Sequence, residues 1–256
     1  MIINKIYHLA DLHIRNLQRH KEYKEVFKKF LKQVKDDKIQ DSIIYLAGDI
    51  AHAKTEMSPE LIREISWFLT ECSKLRETFL ITGNHDCNLN NNHRLDVLTP
   101  IIDNLNNPHI HYLRDTGVYN YNNITFVVYS ILDKKENWPL AKDIEGENKI
   151  CLFHGPVNKA QTDIGYVVSS NSFTVDMFEG FDMAMLGDIH KRQTFGEGWE
   201  HVAYAGSMVQ QNHGEMLENH GYLLWDVPTR TFTEHHLHND YGFLTIDVVN
   251  GQIPQW

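Results

Sequence analysis

Short apolar runs alternate with amphipathic stretches through the first hundred residues. Lys5 to Ala10 is apolar and of strand length, and the Lys/Glu-rich stretch from Arg19 to Lys35 sets Val26, Phe27, Phe30, Leu31 and Val34 at helical spacing. The alternation recurs. Ser42 to Ala47 reads as a buried strand, Pro59 to Leu69 as a helix, Thr78 to Ile81 as a strand and Leu95 to Leu105 as a helix, which predicts α/β layering. From Gly117 the texture changes, because Val118 to Tyr121 and Ile124 to Tyr129 flank the turn signal Asn122-Asn123, so later strands are expected to pair antiparallel. Ile150 to Phe153 and Met183 to Leu186 read as short buried strands, and Tyr222 to Val227, Arg230 to His236 and Phe243 to Val249 as a closing meander. Asp133 to Asn148 is polar and is expected to be a surface loop or to shape a substrate rim. The whole predicts a mixed two-sheet core with flanking helices.

Composition narrows the class. At 256 residues with 42% hydrophobic and 23% charged positions, the chain can bury a full core and is neither disordered nor fibrous. It has no apolar run of about 18 residues and no signal-peptide pattern, and Cys72, Cys87 and Cys151 are too scattered for a disulfide framework. A location in the reducing cytoplasm, away from membranes, is therefore expected. The formal charge of −10 argues against a broad basic surface for nucleic acid, so any such binding is local or shared with a partner.

The chemistry-bearing residues share one layout: an apolar strand ends, and Asp, Asn or His follows at once. They are Asp11-Leu12-His13, Gly48-Asp49-Ile50-Ala51-His52, Gly83-Asn84-His85-Asp86, Phe153-His154-Gly155 and Gly187-Asp188-Ile189-His190. Ligands of open α/β sheets bind beyond the carboxyl ends of the strands, so these groups are expected to meet in one crevice. A Gly-Asp pair alone is more often a capped turn, but a turn has no use for the His and Asp of Gly83-Asn84-His85-Asp86. Carboxylate, imidazole and amide donors without thiolate suit hard or borderline divalent cations, and there are more of them than one ion needs. Two cations sharing a carboxylate suit in-line hydrolysis of a phosphate ester.

The ordered set His8-x-x-Asp11-x-His13, Gly48-Asp49, Gly83-Asn84-His85-Asp86, His154 and Gly187-Asp188-x-His190 resembles the calcineurin-like metallophosphoesterase signature. Within that superfamily the chain is most similar to the SbcD-like repair nucleases, through His52 and the tract from Tyr204 to Gln211. The resemblance implies a four-layer sandwich of two mixed β-sheets flanked by helices. It implies that Asp11, His13, Asp49 and His190 hold one cation and Asp49, Asn84, His154 and Asp188 the other, with Asp49 as bridge. His85 would stand beside the scissile phosphate as proton donor, and His52 would help place it. The family's last motif is Gly-His-x-His, whereas Asp188 stands here at the first His; a carboxylate there makes the site harder and favours manganese, with magnesium as the alternative.

By the same likeness the activity is DNA exonuclease and endonuclease cleavage by a homodimer working with an SMC-like ATPase related to SbcC. Pro59 to Cys72 and Asn92 to Leu105 are candidate dimer helices. The nuclease domain is expected over residues 1–240, with 241–256 a terminal strand that begins a capping domain this chain does not complete. His8 is expected to pack beneath the site, Asp86 to buttress the Asn84-His85 loop, and Arg15, Arg19, Lys191 and Arg192 are candidate phosphate contacts. The rival readings are a phosphoesterase acting on a nucleotide or phosphoprotein and a non-catalytic scaffold.

Overall fold

The structure is a computed structural model and describes residues 2–91, 93–248 and 250–253. Two six-stranded sheets pack face to face. The first, ordered β12-β11-β1-β2-β3-β4, contains β1 (Lys5–Leu9), β2 (Ser42–Leu46), β3 (Thr78–Leu80), β4 (Ile110–Tyr112), β11 (Gly221–Asp226) and β12 (Thr231–His236). β1 to β4 run parallel, and β11 and β12 close the sheet antiparallel. The second, ordered β5-β6-β7-β8-β10-β9, contains β5 (Gly117–Tyr121), β6 (Ile124–Tyr129), β7 (Lys149–His154), β8 (Met183–Gly187), β9 (Gln193–Thr194) and β10 (Val202–Tyr204).

Side-chain alternation along β1 sets the layers. Tyr7 and Leu9 face the helices, while Ile6 and Ala10 face the second sheet. The helical face is covered by α1 (His20–Asp36), α2 (Pro59–Leu75) and α3 (Leu98–Leu105). α1 buries Tyr23, Val26, Phe27, Phe30 and Val34 along one stripe, and Phe27 stacks on Phe68 of α2 at 4.2 Å between ring centroids. α2 begins where expected, with Pro59 in its first turn and the Ser58 hydroxyl accepting the Leu61 amide.

Some expectations need correction. The second sheet is antiparallel only at its edges: β6, β7, β8 and β10 are parallel, because strands buried on both faces, as β6 is throughout, belong between layers. The loop from Asp133 to Asn148 is not simply surface. It forms two 3-10 turns and buries Trp138 against Tyr129, so the outer layer of this sheet is built from 3-10 turns and loops. Phe243 to Val249 does not extend the meander: 243–248 is irregular, and Val249 lies outside the described residues. Gln210 captures this segment, its Oε1 accepting the Phe243 amide at 2.6 Å and its Nε2 donating to the Phe243 carbonyl. Of the two candidate dimer helices, the first corresponds to α2; the second is shorter than expected, with Asn92 outside the described residues.

α3 starts at Leu98 because the buried Asp96 carboxylate accepts the amides of Leu98 and Thr99, the Thr99 hydroxyl and Arg114 Nε at 2.7–3.0 Å. Burial opposes its charge, yet the bonds from Arg114 and Thr99 hold its carboxyl below the usual range. Asp96→Ala is expected to cost about 2–3 kcal/mol of unfolding free energy at neutral pH in denaturant titration. Because the folded carboxyl is the stronger acid, that contribution is present above the unfolded carboxyl's value of about 3.9 and is lost as pH falls through the depressed folded value, so the gap to wild type narrows in acid.

Candidate metal centre

Beyond their last paired residues, β1 and β2 stay zipped together by main-chain bonds. The amides of Asp11, His13 and Ile14 donate to the carbonyls of Gly48, Asp49 and Ile50, and the His52 amide returns to Ile14. Asp11, His13 and Asp49 adopt positive φ angles of 53°, 45° and 52° within this zip, and Asp188 at the end of β8 has φ +98°. Left-handed backbone at non-glycine residues persists only where the surroundings enforce it, and these four positions carry candidate ligands. Gly83 is required by close approach: a Cβ there would lie 2.1 Å from Asp49 Oδ1.

All the metal-ligating candidates read from the sequence come together. His13 Nε2 lies 2.9 Å from His190 Nε2 and 3.4 Å from Asp49 Oδ2, while His154 Nε2 lies 3.4 Å from Asp49 Oδ1 and 3.7 Å from Asp188 Oδ1. Asp49 thus stands between a His13–His190 side and a His154–Asp188 side. Asp11 has donor atoms close to both, grouping with His13 and His190 and also with Asp49 and His154. Its carboxylate also accepts the Asp188 amide at 3.0 Å.

Hydrogen bonds at the rear of the rings decide which nitrogens face inward. His154 Nδ1–H donates to the Ala47 carbonyl at 2.6 Å and His190 Nδ1–H to Glu215 Oε1 at 2.7 Å, which turns both Nε2 atoms toward the centre. The Asn84 side-chain amide lies within reach of three polar atoms: His154 Nε2 at 3.0 Å, Asp49 Oδ2 at 3.2 Å and Asp188 Oδ1 at 3.3 Å. Carboxylate, amide and imidazole groups converging in this way are a donor set that a central cation would satisfy. The donor set, all oxygen and imidazole nitrogen, fits divalent cations.

The electrostatics agree with that fit. Burial, reinforced by Asp49 and Asp188, raises the Asp11 carboxyl to about 7 despite His190 and His154. Burial also raises Asp188. Burial opposes ionisation of Asp49, but His154, His13 and His85 hold its carboxyl below the usual range. Burial likewise opposes a charge on His190, yet the bond to Glu215 and the field of Asp11 lift it to about 9.

The two expected catalytic histidines lie on the rim. His85 packs edge-on to His13 at 4.7 Å and stacks on His52 at 5.4 Å, and its Nδ1–H donates to the His52 carbonyl at 2.7 Å. Asp86 is buried and accepts the amides of Ile50, Ala51 and Gly83, binding the loops after β2 and β3 to each other. His8 lies between the sheets, accepting from Trp225 Nε1. Sequence reasoning missed Glu215, which orients His190 and accepts the Gln211 amide. Its only signal is proximity to the Tyr204 to Gln211 tract, in which Gln211 Nε2 donates to the Leu12 carbonyl.

Three of the four candidate phosphate contacts are engaged in the fold. Arg15 donates to the Gln211 carbonyl, Arg19 pairs with Glu22 and donates to the Gln210 carbonyl, and Arg192 donates to the Ala205 carbonyl and pairs with Glu234. The Lys191 ammonium has no partner among the described residues.

A family model described as calcineurin-like phosphoesterase matches residues 4–192. The chain is 43% identical over 262 aligned positions to an uncharacterized protein, R555, of Acanthamoeba polyphaga mimivirus, covering 98% of this chain and 19% of that protein. It therefore spans about a fifth of that relative's length. Among solved structures, TT1561 of Thermus thermophilus superposes with a TM-score of 0.55 at 13% identity, over 92% of this chain and 100% of that one, a likeness of fold. The family match takes in the strand ends after β1, β2, β3, β7 and β8 together with every donor they carry, and the chain belongs to the calcineurin-like phosphoesterase family.

Proposed function

We propose that the chain hydrolyses phosphodiester bonds in DNA, using two divalent cations, manganese before magnesium. Asp11, His13, Asp49 and His190 would hold one, and Asp49, Asn84, His154 and Asp188 the other. The observation that carries the reading is the position of Asp49, one oxygen toward His13 and the other toward His154, each at 3.4 Å. Bound there, the cations supply Lewis-acid activation of the phosphate and of the attacking water. The remaining work falls to the chain's own side chains. With its Nδ1 committed to the His52 carbonyl, His85 has Nε2 left as the atom that would donate to the leaving oxygen. His52 fixes the ring by stacking on it.

DNA is favoured as substrate because His52 and the Tyr204 to Gln211 tract, the features most similar to SbcD-like nucleases, are both part of the site's surroundings: His52 touches His85, and Gln211 supports the loop of Asp11. On the same resemblance, a second copy of the chain and an SMC-like ATPase are proposed as its assembly.

The reading is tested with end-labelled linear duplex DNA, a generic phosphodiester and a phosphopeptide, each with manganese, magnesium or chelator. DNA cleavage is expected only with cation present, and intact DNA beside a hydrolysed phosphopeptide would transfer the activity to another ester. His85→Ala is expected to lower cleavage by about 10²-fold or more while the cation content measured by elemental analysis stays unchanged. Asp49→Ala is expected to lose the paired cations. Full cleavage by either variant would sink the mechanism. Glu215→Ala frees the His190 ring, and calorimetric titration is expected to show cation affinity falling by about 10- to 100-fold.

A further inference from the structure

Beside the metal centre, a cleft of about 310 Å³ runs along Asp188, His190 and Glu215, and Lys191 lines both it and a larger groove of about 550 Å³. The larger groove is also lined by Lys159, Phe195 and Trp199. Gln161 and Gln193, which also line it, exchange hydrogen bonds, the Gln161 amide donating to Gln193 Oε1 and Gln193 Nε2 donating to the Gln161 carbonyl, both at 2.8 Å. Neither the Lys159 nor the Lys191 ammonium has an ion-pair or hydrogen-bond partner among the described residues. The chain's net charge is −10, and this groove is lined by two unpaired ammonium groups. Asp176 also lines the groove, so the lysines outnumber the opposing carboxylate without forming a broad basic patch.

We propose that this groove is a subsite for a single-stranded nucleic acid leaving the metal centre, with Lys191 and Lys159 on successive phosphates and Trp199 and Phe195 offering ring faces to unstacked bases. The proposal rests on the phosphodiesterase reading for its direction and adds the substrate's strand state to it. Aromatic faces beside cations fit single strands, because a base inside a duplex is already stacked and has no face to give. Trp199 is braced from behind by His201, at 5.7 Å and 24° between ring planes, and Phe195 by Tyr204 at 5.9 Å. Both rings are half-buried, so each is held in place before a base arrives.

The test separates binding from cleavage. Fluorescence anisotropy of a labelled oligothymidylate is followed across a potassium chloride series with the whole chain, with Lys159→Ala/Lys191→Ala, with Lys159→Arg/Lys191→Arg and with Trp199→Ala. If both lysines meet phosphates, the slope of log K against log salt flattens by about 1.4 in the double alanine variant, at roughly 0.7 per phosphate of a single strand, and the arginine variant restores it. Trp199→Ala is expected to weaken binding by about tenfold. Wild type that fails to bind the oligonucleotide, or a double alanine variant with an unchanged slope, would overturn the subsite. If binding follows the expected pattern while manganese-dependent cleavage of the same oligonucleotide is absent in wild type, the subsite stands and the nuclease reading falls.

Discussion

Asp11, Asp49 and Asp188 bring three carboxylates into one largely buried pocket, and much around them answers the repulsion that follows. Main-chain amides supply part of the answer: Asp188 N–H donates to Asp11, and His85 N–H to Asp49 at 2.8 Å. Imidazoles supply another part, with His154 and His190 held by Ala47 and Glu215 so that their inner nitrogens face the acids. What is left is a concentration of acidic groups in a buried volume, a setting in which Asp11 and His190 are lifted to hold protons, and a small, highly charged cation would relieve it better than any side chain. The left-handed backbone of Asp11, His13, Asp49 and Asp188 follows from the same demand, since ordinary strand geometry would not turn all of these groups into one volume.

Much of this was legible along the chain because strand ends are local features. An apolar run followed at once by Asp or His places its side chain at a sheet edge whatever the rest of the fold does, and Asp11, Asp49, Asn84, His154 and Asp188 all announced themselves in that way. Glu215 did not, because it belongs to an irregular loop and meets His190 only once β8 and that loop have packed. Asp86 was readable as a support, but what it supports is main chain: three amides from two loops, with no histidine among its hydrogen-bond donors.

The misreadings of the fold have a similar origin. The hairpin of β5 and β6 was plain from its turn, and its antiparallel pairing was extended too far, because burial on both faces depends on the outer layer and no single strand reveals it. That outer layer is itself made of 3-10 turns too short to carry a periodic signal. Phe243 to Val249 had the composition of a strand, but Gln210 holds the main chain of Phe243 and the Arg19 guanidinium lies 4.9 Å from its ring. β4, β9 and β10 are two or three residues long, below what alternation can register.

The donors are divided between the two sheets: Asp11, His13, Asp49 and Asn84 follow strands of the first, while His154 ends β7 and Asp188 and His190 follow β8 in the second. A cation held by both groups is a rivet through the sandwich. Its binding free energy would add to the cohesion between the sheets, so removing it would slacken their seam at the strand ends instead of fraying a terminus. Mechanical integrity and chemical competence then share one fastening, and a chain whose sheets have begun to part has already lost the geometry for chemistry.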